Sequence, residues 1–216
     1  MHIGAQKNLK ERRDNMSEFE KLDKVADELI EFSLPAYDAL PEIELYMDQL
    51  VGYLNKLLSR TCRSEDGTPL TPNRVNNYVK DGRIKRPVQK KYDRERIAML
   101  YMLCCTKQNL MLPEASTLLS MLEKNGTEEL YEDFRTLQEP IVKNCAAELK
   151  KTERDREQML KKALELTLRS TAERFAAEAI IAALSDKEES KSEKAEKTKK
   201  EKKAKAEEKE TNKTDI

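Results

Sequence analysis

From Ile141 to Leu184 the chain contains neither Gly nor Pro, and Ala, Glu, Lys, Leu and Arg dominate. These are strong helix formers, and a run of them without a stop signal predicts one or two long helices. A heptad frame through Val142, Cys145, Leu149, Thr152, Arg156 and Met159 is interrupted by polar residues, so a two-stranded coiled coil is weakly specified. The rest of the chain points to the same class. Five Gly in 216 residues and 5% aromatics without Trp are too few for the turn-rich sandwiches and barrels. The expected fold is all-α.

Further helices are marked upstream. "SEFEKLDKVADELIEFS" (residues 17–33) opens with a Ser17/Glu20 capping box and carries an apolar stripe through Phe19, Leu22, Val25 or Ala26, Leu29 and Ile30. A second helix is expected from about Pro41 to Ser59, followed by a polar loop with an Asp66-Gly67 turn. "TPNRVNNYVKDG" is bounded at both ends, with Thr71 as N-cap, Pro72 at the first helical position and Gly82 as stop. Val75, Tyr78 and Val79 share one side of that helix. Asn73, Asn77 and Lys80 point the other way, with Arg74 and Asn76 on the flanks. Pro87 then breaks the pattern, and the segment after Gly82 reads as a short two-stranded wing or an extended loop. Asp93 caps a helix of about Arg94–Gln108 whose "IAMLYMLCC" is apolar nearly all round, as a central core helix is. Another starts at Pro113 and ends at Asn125-Gly126. The last before the long segment runs from Thr127 to about Gln138, stopped by Pro140.

Several functions find no support. The only His is His2, there is no GxxxxGK[ST], GxGxxG or GxSxG, and no CxxC pair. The expectation is therefore a non-enzyme with no cofactor and no metal site. Cys62, Cys104, Cys105 and Cys145 do not suggest a disulfide framework, and Cys104 and Cys105 read as small core residues. No apolar run is long enough for a membrane span, and the first residues lack a signal-peptide hydrophobic region, so a cytoplasmic protein is expected.

Charge is unevenly placed. The chain has 41 basic and 41 acidic residues, yet Thr71–Arg96 holds nine basic against three acidic ones, and Asp14–Asp48 eleven acidic against two basic. Composition leaves two readings open. The basic stretch binds nucleic acid, or it is neutralised internally by the acidic segment, which would then screen it. Residues 186–216, with eleven Lys, ten acidic residues and almost no apolar ones, read as a disordered tail whose high helix propensity allows transient helix, solubilising first and partner-binding second.

Helix, turn, extended basic segment and apolar helix follow one another in the order of a winged helix-turn-helix. An outward face of Asn and Lys or Arg can hydrogen-bond base edges in a major groove, and a basic wing can neutralise phosphates without reading sequence. Asn73, Arg74, Asn77 and Lys80 suit the first task. Arg83, Lys85, Arg86, Lys90, Lys91 and Arg94 suit the second. Single-stranded nucleic acid fits less well, because only Tyr78 and Tyr92 offer stacking surfaces in the patch.

"TPNRVNNYVKDGRI…P…KKY" resembles the DNA-binding domain of the MerR family of transcription regulators, through Thr71, Tyr78, Gly82, Lys90 and Tyr92. The resemblance implies that Arg74, Tyr78, Lys90 and Tyr92 touch DNA, with the tyrosine hydroxyls near phosphates. It also implies a dimer on two half-sites. The loop Thr61–Leu70 is longer than an ordinary helix-turn-helix turn, the wing is shorter, and Lys90 stands where that family has Arg. More closely, residues 35–140 resemble a bacterial family known as domain of unknown function 1836, through LTP…NNYV…G…P…KKY. The expected organisation is an acidic arm and helix (1–34), a MerR-like helix-turn-helix domain (35–140), a long helical segment (141–185) and the tail (186–216). The expected function is a regulator of transcription that binds double-stranded DNA, with a homodimer as its expected form and no legible effector pocket. The alternative is a helical protein–protein adaptor whose basic stretch binds an acidic partner.

Overall fold

The computed structural model describes residues 18–62 and 68–211, with side chains described for residues 19–62 and 68–185. The capping Ser17 and the Asp66-Gly67 turn lie outside the described residues. Seven α-helices are present among them: α1 (Glu18–Ile30), α2 (Met47–Leu58), α3 (Pro72–Lys80), α4 (Arg94–Thr106), α5 (Leu112–Leu122), α6 (Thr127–Lys151) and α7 (Arg156–Thr211). Two two-residue strands, β1 (Leu45–Tyr46) and β2 (Lys91–Tyr92), pair antiparallel, Leu45 opposite Tyr92 and Tyr46 opposite Lys91. The molecule is mostly helical, as expected.

The chain divides into two compact units, Met1–Ser170 and Thr171–Ile216. The first is organised around α4. Its Ile97, Ala98 and the run Leu100–Cys104 are all buried, because "IAMLYMLCC" has no polar face to show to water. Tyr101 anchors an aromatic cluster with its ring edge-on to Tyr131 (6.4 Å) and Phe134 (6.0 Å). The Tyr101 hydroxyl donates to Gln138 Oε1 at 2.9 Å, and the Tyr131 hydroxyl to the Pro35 carbonyl at 3.0 Å, so both buried polar tips are satisfied. In the second unit Arg174 pairs with Glu178 at 3.2 Å and lies over the Phe175 ring.

Four expectations need correction. The second helix starts at Met47 rather than near Pro41. Tyr46 is extended (φ −73°, ψ 162°) and belongs to the strand pair, while the Gln49 side chain accepts its N–H at 3.0 Å. Pro140 does not end a helix but lies inside α6. A proline in a helix interior costs about 3 kcal/mol, and here α1 and the segment that follows it pack along α6 on both sides of it. Before Pro140, Glu139 Oε1 accepts from the Leu34 amide (3.0 Å) and the Ser33 hydroxyl (3.3 Å); after it, Lys150 pairs with Asp27. The break falls at 152–155 instead. There Arg154 donates to the Leu149 and Thr152 carbonyls at 3.0 Å, and Asp155 accepts from the Glu157 and Gln158 amides that open α7. The heptad frame through Thr152 and Arg156 is therefore interrupted. Finally, α7 continues to Thr211, through most of the segment read as a disordered tail. Its Ala, Glu and Lys are helix formers and no Gly or Pro stops them; residues 212–216 lie outside the described residues.

Candidate nucleic-acid interface

The entry to α3 is fixed by an amide clamp. Asn55 Nδ2 on α2 donates to the Leu70 carbonyl, and the Leu70 amide donates to Asn55 Oδ1, both at 2.9 Å. Thr71 then caps α3 as its sequence requires, accepting from the Arg74 amide at 3.3 Å. At the other end the Arg83 and Ile84 amides fold back onto the Tyr78 carbonyl at 2.8 and 3.1 Å, with Gly82 at φ 71°. That left-handed conformation suits a residue without Cβ. Val75 and Tyr78 are buried beneath α3, as the helical wheel predicts. Asn73, Asn77 and Lys80 are exposed and have no partner among the described residues.

The segment after Gly82 is a turn more than a wing. Gln89 (φ 49°) and Lys90 (φ 64°) are both left-handed and close a Val88–Lys91 bridge, with N–H to O distances of 3.2 and 2.9 Å. Two successive positive φ values are the geometry of the tightest hairpin turns. Beyond it, β2 leaves the turn and pairs with the upstream strand β1. Lys90 thus stands at an exposed tip. Arg96, which the sequence reading did not single out, holds the segment in place. Its Nε donates to the Arg86 carbonyl at 3.0 Å and the Lys85 carbonyl at 3.3 Å, while its guanidinium pairs with Asp93. Its spacing of three from the N-cap Asp93 was the only signal available.

The twelve expected contact residues therefore separate. Asn73, Asn77, Lys80, Arg86 and Lys90 are exposed, with no side-chain partner among the described residues. Lys85 is exposed but bound to Glu95 at 2.5 Å, and that hydrogen bond raises its pKa. Lys91 lies over the Tyr46 ring at 5.4 Å. Arg74 is turned into the fold, donating to the Thr68 and Pro69 carbonyls at 3.0 and 2.9 Å. Arg94 pairs with Asp38 at 3.6 Å and covers the Tyr37 ring. Tyr78 and Tyr92 are only 5% and 2% exposed, so their rings are core, not surface. Arg83 lines a cleft of about 190 Å³ together with Lys85, Glu95, Arg96, Glu123 and Thr127, and its Nε is buried without a partner among the described residues.

Among the described residues no group of three or more His, Cys, Asp or Glu could hold a metal ion, and no helix is long and apolar enough to cross a membrane. No curated protein and no solved structure matches the chain. Residues 35–134, from just before the 3-10 turn at Tyr37–Ala39 into α6, match the model of the family described as domain of unknown function DUF1836.

Proposed function

We propose that the protein binds double-stranded DNA and regulates transcription, with α3 as the reading helix of a MerR-like helix-turn-helix and the Val88–Lys91 turn as a phosphate contact. The observation that carries this reading is the outward face of α3. The side chains of Asn73, Asn77 and Lys80 make no hydrogen bond among the described residues, although the clamp at Leu70 and the cap at Thr71 hold their helix firmly. Amide and ammonium groups presented on a rigid helix suit base-edge and phosphate contacts. The strained tip supports it as well. Left-handed backbone at a non-glycine residue costs about 1–2 kcal/mol, and such outliers cluster at ligand contacts. On this reading Arg86 and Lys90 meet phosphates, Arg74 and the two tyrosines position the elements, and the protein works in the cytoplasm without catalysis or cofactor.

A homodimer is part of the proposal. Leu160, Leu164 and Leu168 recur every fourth residue on α7 and are 62%, 59% and 61% exposed, an apolar stripe suited to a second helix. The same stripe favours the adaptor as a second reading, in which α7 takes another protein. Selection of bound duplexes from a random pool by the full chain separates the two. Enrichment of a defined site, with affinity falling steeply as salt rises, supports regulation. Recovery of random sequence alone sinks it.

A further inference from the structure

Outside the proposed interface, two thiols come together that the DNA reading does not use. Cys62 lies four residues beyond the end of α2, its amide bonded to the Leu58 carbonyl at 2.8 Å. Cys105 lies in the last turn of α4. Their Sγ atoms are 3.8 Å apart, although the residues are far apart in sequence. Cys62 also approaches the Cys104 carbonyl at 3.8 Å and the Thr61 hydroxyl at 3.9 Å, and Gln138 Nε2 donates to Cys105 Sγ at 3.6 Å. Cys62 is buried, Cys105 half-buried.

We propose that Cys62 and Cys105 form a redox-active dithiol, which peroxide closes to a disulfide joining the chain that enters α3 to the core helix α4. The two thiols are unlike. The Cys62 pKa is lowered, first by its hydrogen bond with Cys105 and then by the Thr61 hydroxyl and the Lys107 charge, against the effect of burial. The Cys105 pKa is raised well above the ordinary value by the same hydrogen bond and by burial. Cys62 is thus the thiol that gives up its proton more readily and attacks, and Cys105 is the resolving thiol. In the first step Cys62 sulfur attacks one peroxide oxygen, the O–O bond breaks, and Cys62 becomes a sulfenic acid as water leaves. In the second, Cys105 sulfur displaces the hydroxyl from Cys62 sulfur, and its own proton leaves with that hydroxyl as a second water. Peroxide is reduced, and the two sulfurs are oxidised by two electrons in all. Closing the 3.8 Å between the sulfurs to a disulfide bond of about 2.0 Å takes side-chain rotation and a backbone shift. Disulfides are rare in reducing compartments except as transient redox devices, which is how an unlinked but touching pair behaves.

The test is peptide mapping of the folded, reduced full chain after treatment with hydrogen peroxide, with free thiols alkylated and no reductant added. The expected result is loss of two thiols per chain and an intramolecular link from the Cys62 peptide to the peptide of Cys104 and Cys105, with Cys145 still alkylated. In the Cys104→Ser chain the link persists, which assigns it to Cys105; in the Cys105→Ser chain it disappears and Cys62 accumulates as sulfenic acid. Peroxide that leaves Cys62 alkylatable, or carries it to sulfinic acid with no link, overturns the proposal. A link that needs Cys104 and survives Cys105→Ser overturns it too. Because the wild-type map decides the first question, the result stands even if a variant folds poorly.

Discussion

Two charged regions of this molecule behave differently. On the acidic helix α1 the charges described at its packed side are taken up, Asp23 by Arg154 and Asp27 by Lys150. Across the same contact Glu139 and Glu132 of α6 accept the Leu34 and Tyr37 amides. In the basic stretch the cations split. Lys85, Arg94 and Arg96 are paired with acids, whereas Lys80, Arg86 and Lys90 have no such partner among the described residues. A charge count treats the two regions as mirror images. The structure assigns α1 to holding the fold together, and it leaves α3 and the turn tip with uncommitted groups.

The comparison breaks most visibly in the core beneath α1. Phe32, just beyond that helix, is 1% exposed, so Phe32→Ala should cost about 3–5 kcal/mol. Denaturant titration reads that loss, while the folded fraction keeps its DNA affinity. A comparable loss of affinity at full folding would mean that the α1 side takes part in binding. The next effect lies on α3. Asn77→Ala should leave stability within about 0.5 kcal/mol, as surface changes do, yet relax preference at one base pair by roughly 1–3 kcal/mol. Titration against a panel of single-base site variants checks it, and a uniform loss over the panel contradicts the assigned role.

Much of this division was legible in the sequence, and the failures have definite causes. Helix α3 was readable because Thr71, Pro72 and Gly82 are local signals, and its inner face followed from the spacing of Val75 and Tyr78. Pro140 misled because its local cost is outweighed by packing against α1, which lies more than a hundred residues away in sequence. The strand pair was hidden because Leu45–Tyr46 and Lys91–Tyr92 are too short for any periodicity. The tight turn lacked the Asn-Gly or Asp-Gly that usually marks one. At the site, the open residues Asn73, Asn77 and Lys80 came from the wheel. The inward roles of Arg74 and Arg94 were not readable, because their partners are backbone carbonyls and a residue, Asp38, that only the fold brings near.

Acid should weaken the α1 side. The Glu132 pKa is lowered chiefly by the Tyr37 amide, then by Arg135. The Glu139 pKa is lowered despite burial, which works against it, by the Leu34 amide, Lys143 and the Ser33 hydroxyl. A depressed folded-state pKa contributes stability that is full above the ordinary carboxylate range and is lost as pH falls through the lowered value. Thermal midpoints measured from neutral pH downward should therefore hold steady and then drop below that range, and Glu139→Gln should flatten the drop. An unchanged acid limb would remove Glu139 from the account. At the turn tip, Lys90→Gly relieves one left-handed residue. It should gain up to about 1 kcal/mol of stability, a strain relief of 1–2 kcal/mol less the added chain entropy of glycine. DNA affinity should fall and its salt dependence flatten, since one phosphate contact is lost. Stability and binding moving in the same direction would show that the tip carries no contact.

The smallest expected effect decides whether the two charged regions communicate at all. If the acidic segment screened the basic stretch, neutralising it would tighten DNA binding at low salt. The pairings point elsewhere, since Asp23 and Asp27 face Arg154 and Lys150, while Asp38 meets a cation of the basic stretch, Arg94, at 3.6 Å. Asp23→Asn with Asp27→Asn should therefore leave nonspecific affinity unchanged at low salt. Stability should fall by no more than about 1 kcal/mol per pair, because both pairs are partly exposed and such pairs contribute little. Charges farther than about 10 Å from a bound phosphate are screened at ordinary ionic strength, so a long-range effect should also vanish as salt rises. Tighter binding by the double variant, strongest at the lowest salt, would mean that α1 lies closer to bound DNA than its partners Arg154 and Lys150 imply, and the separation between the two regions would fail.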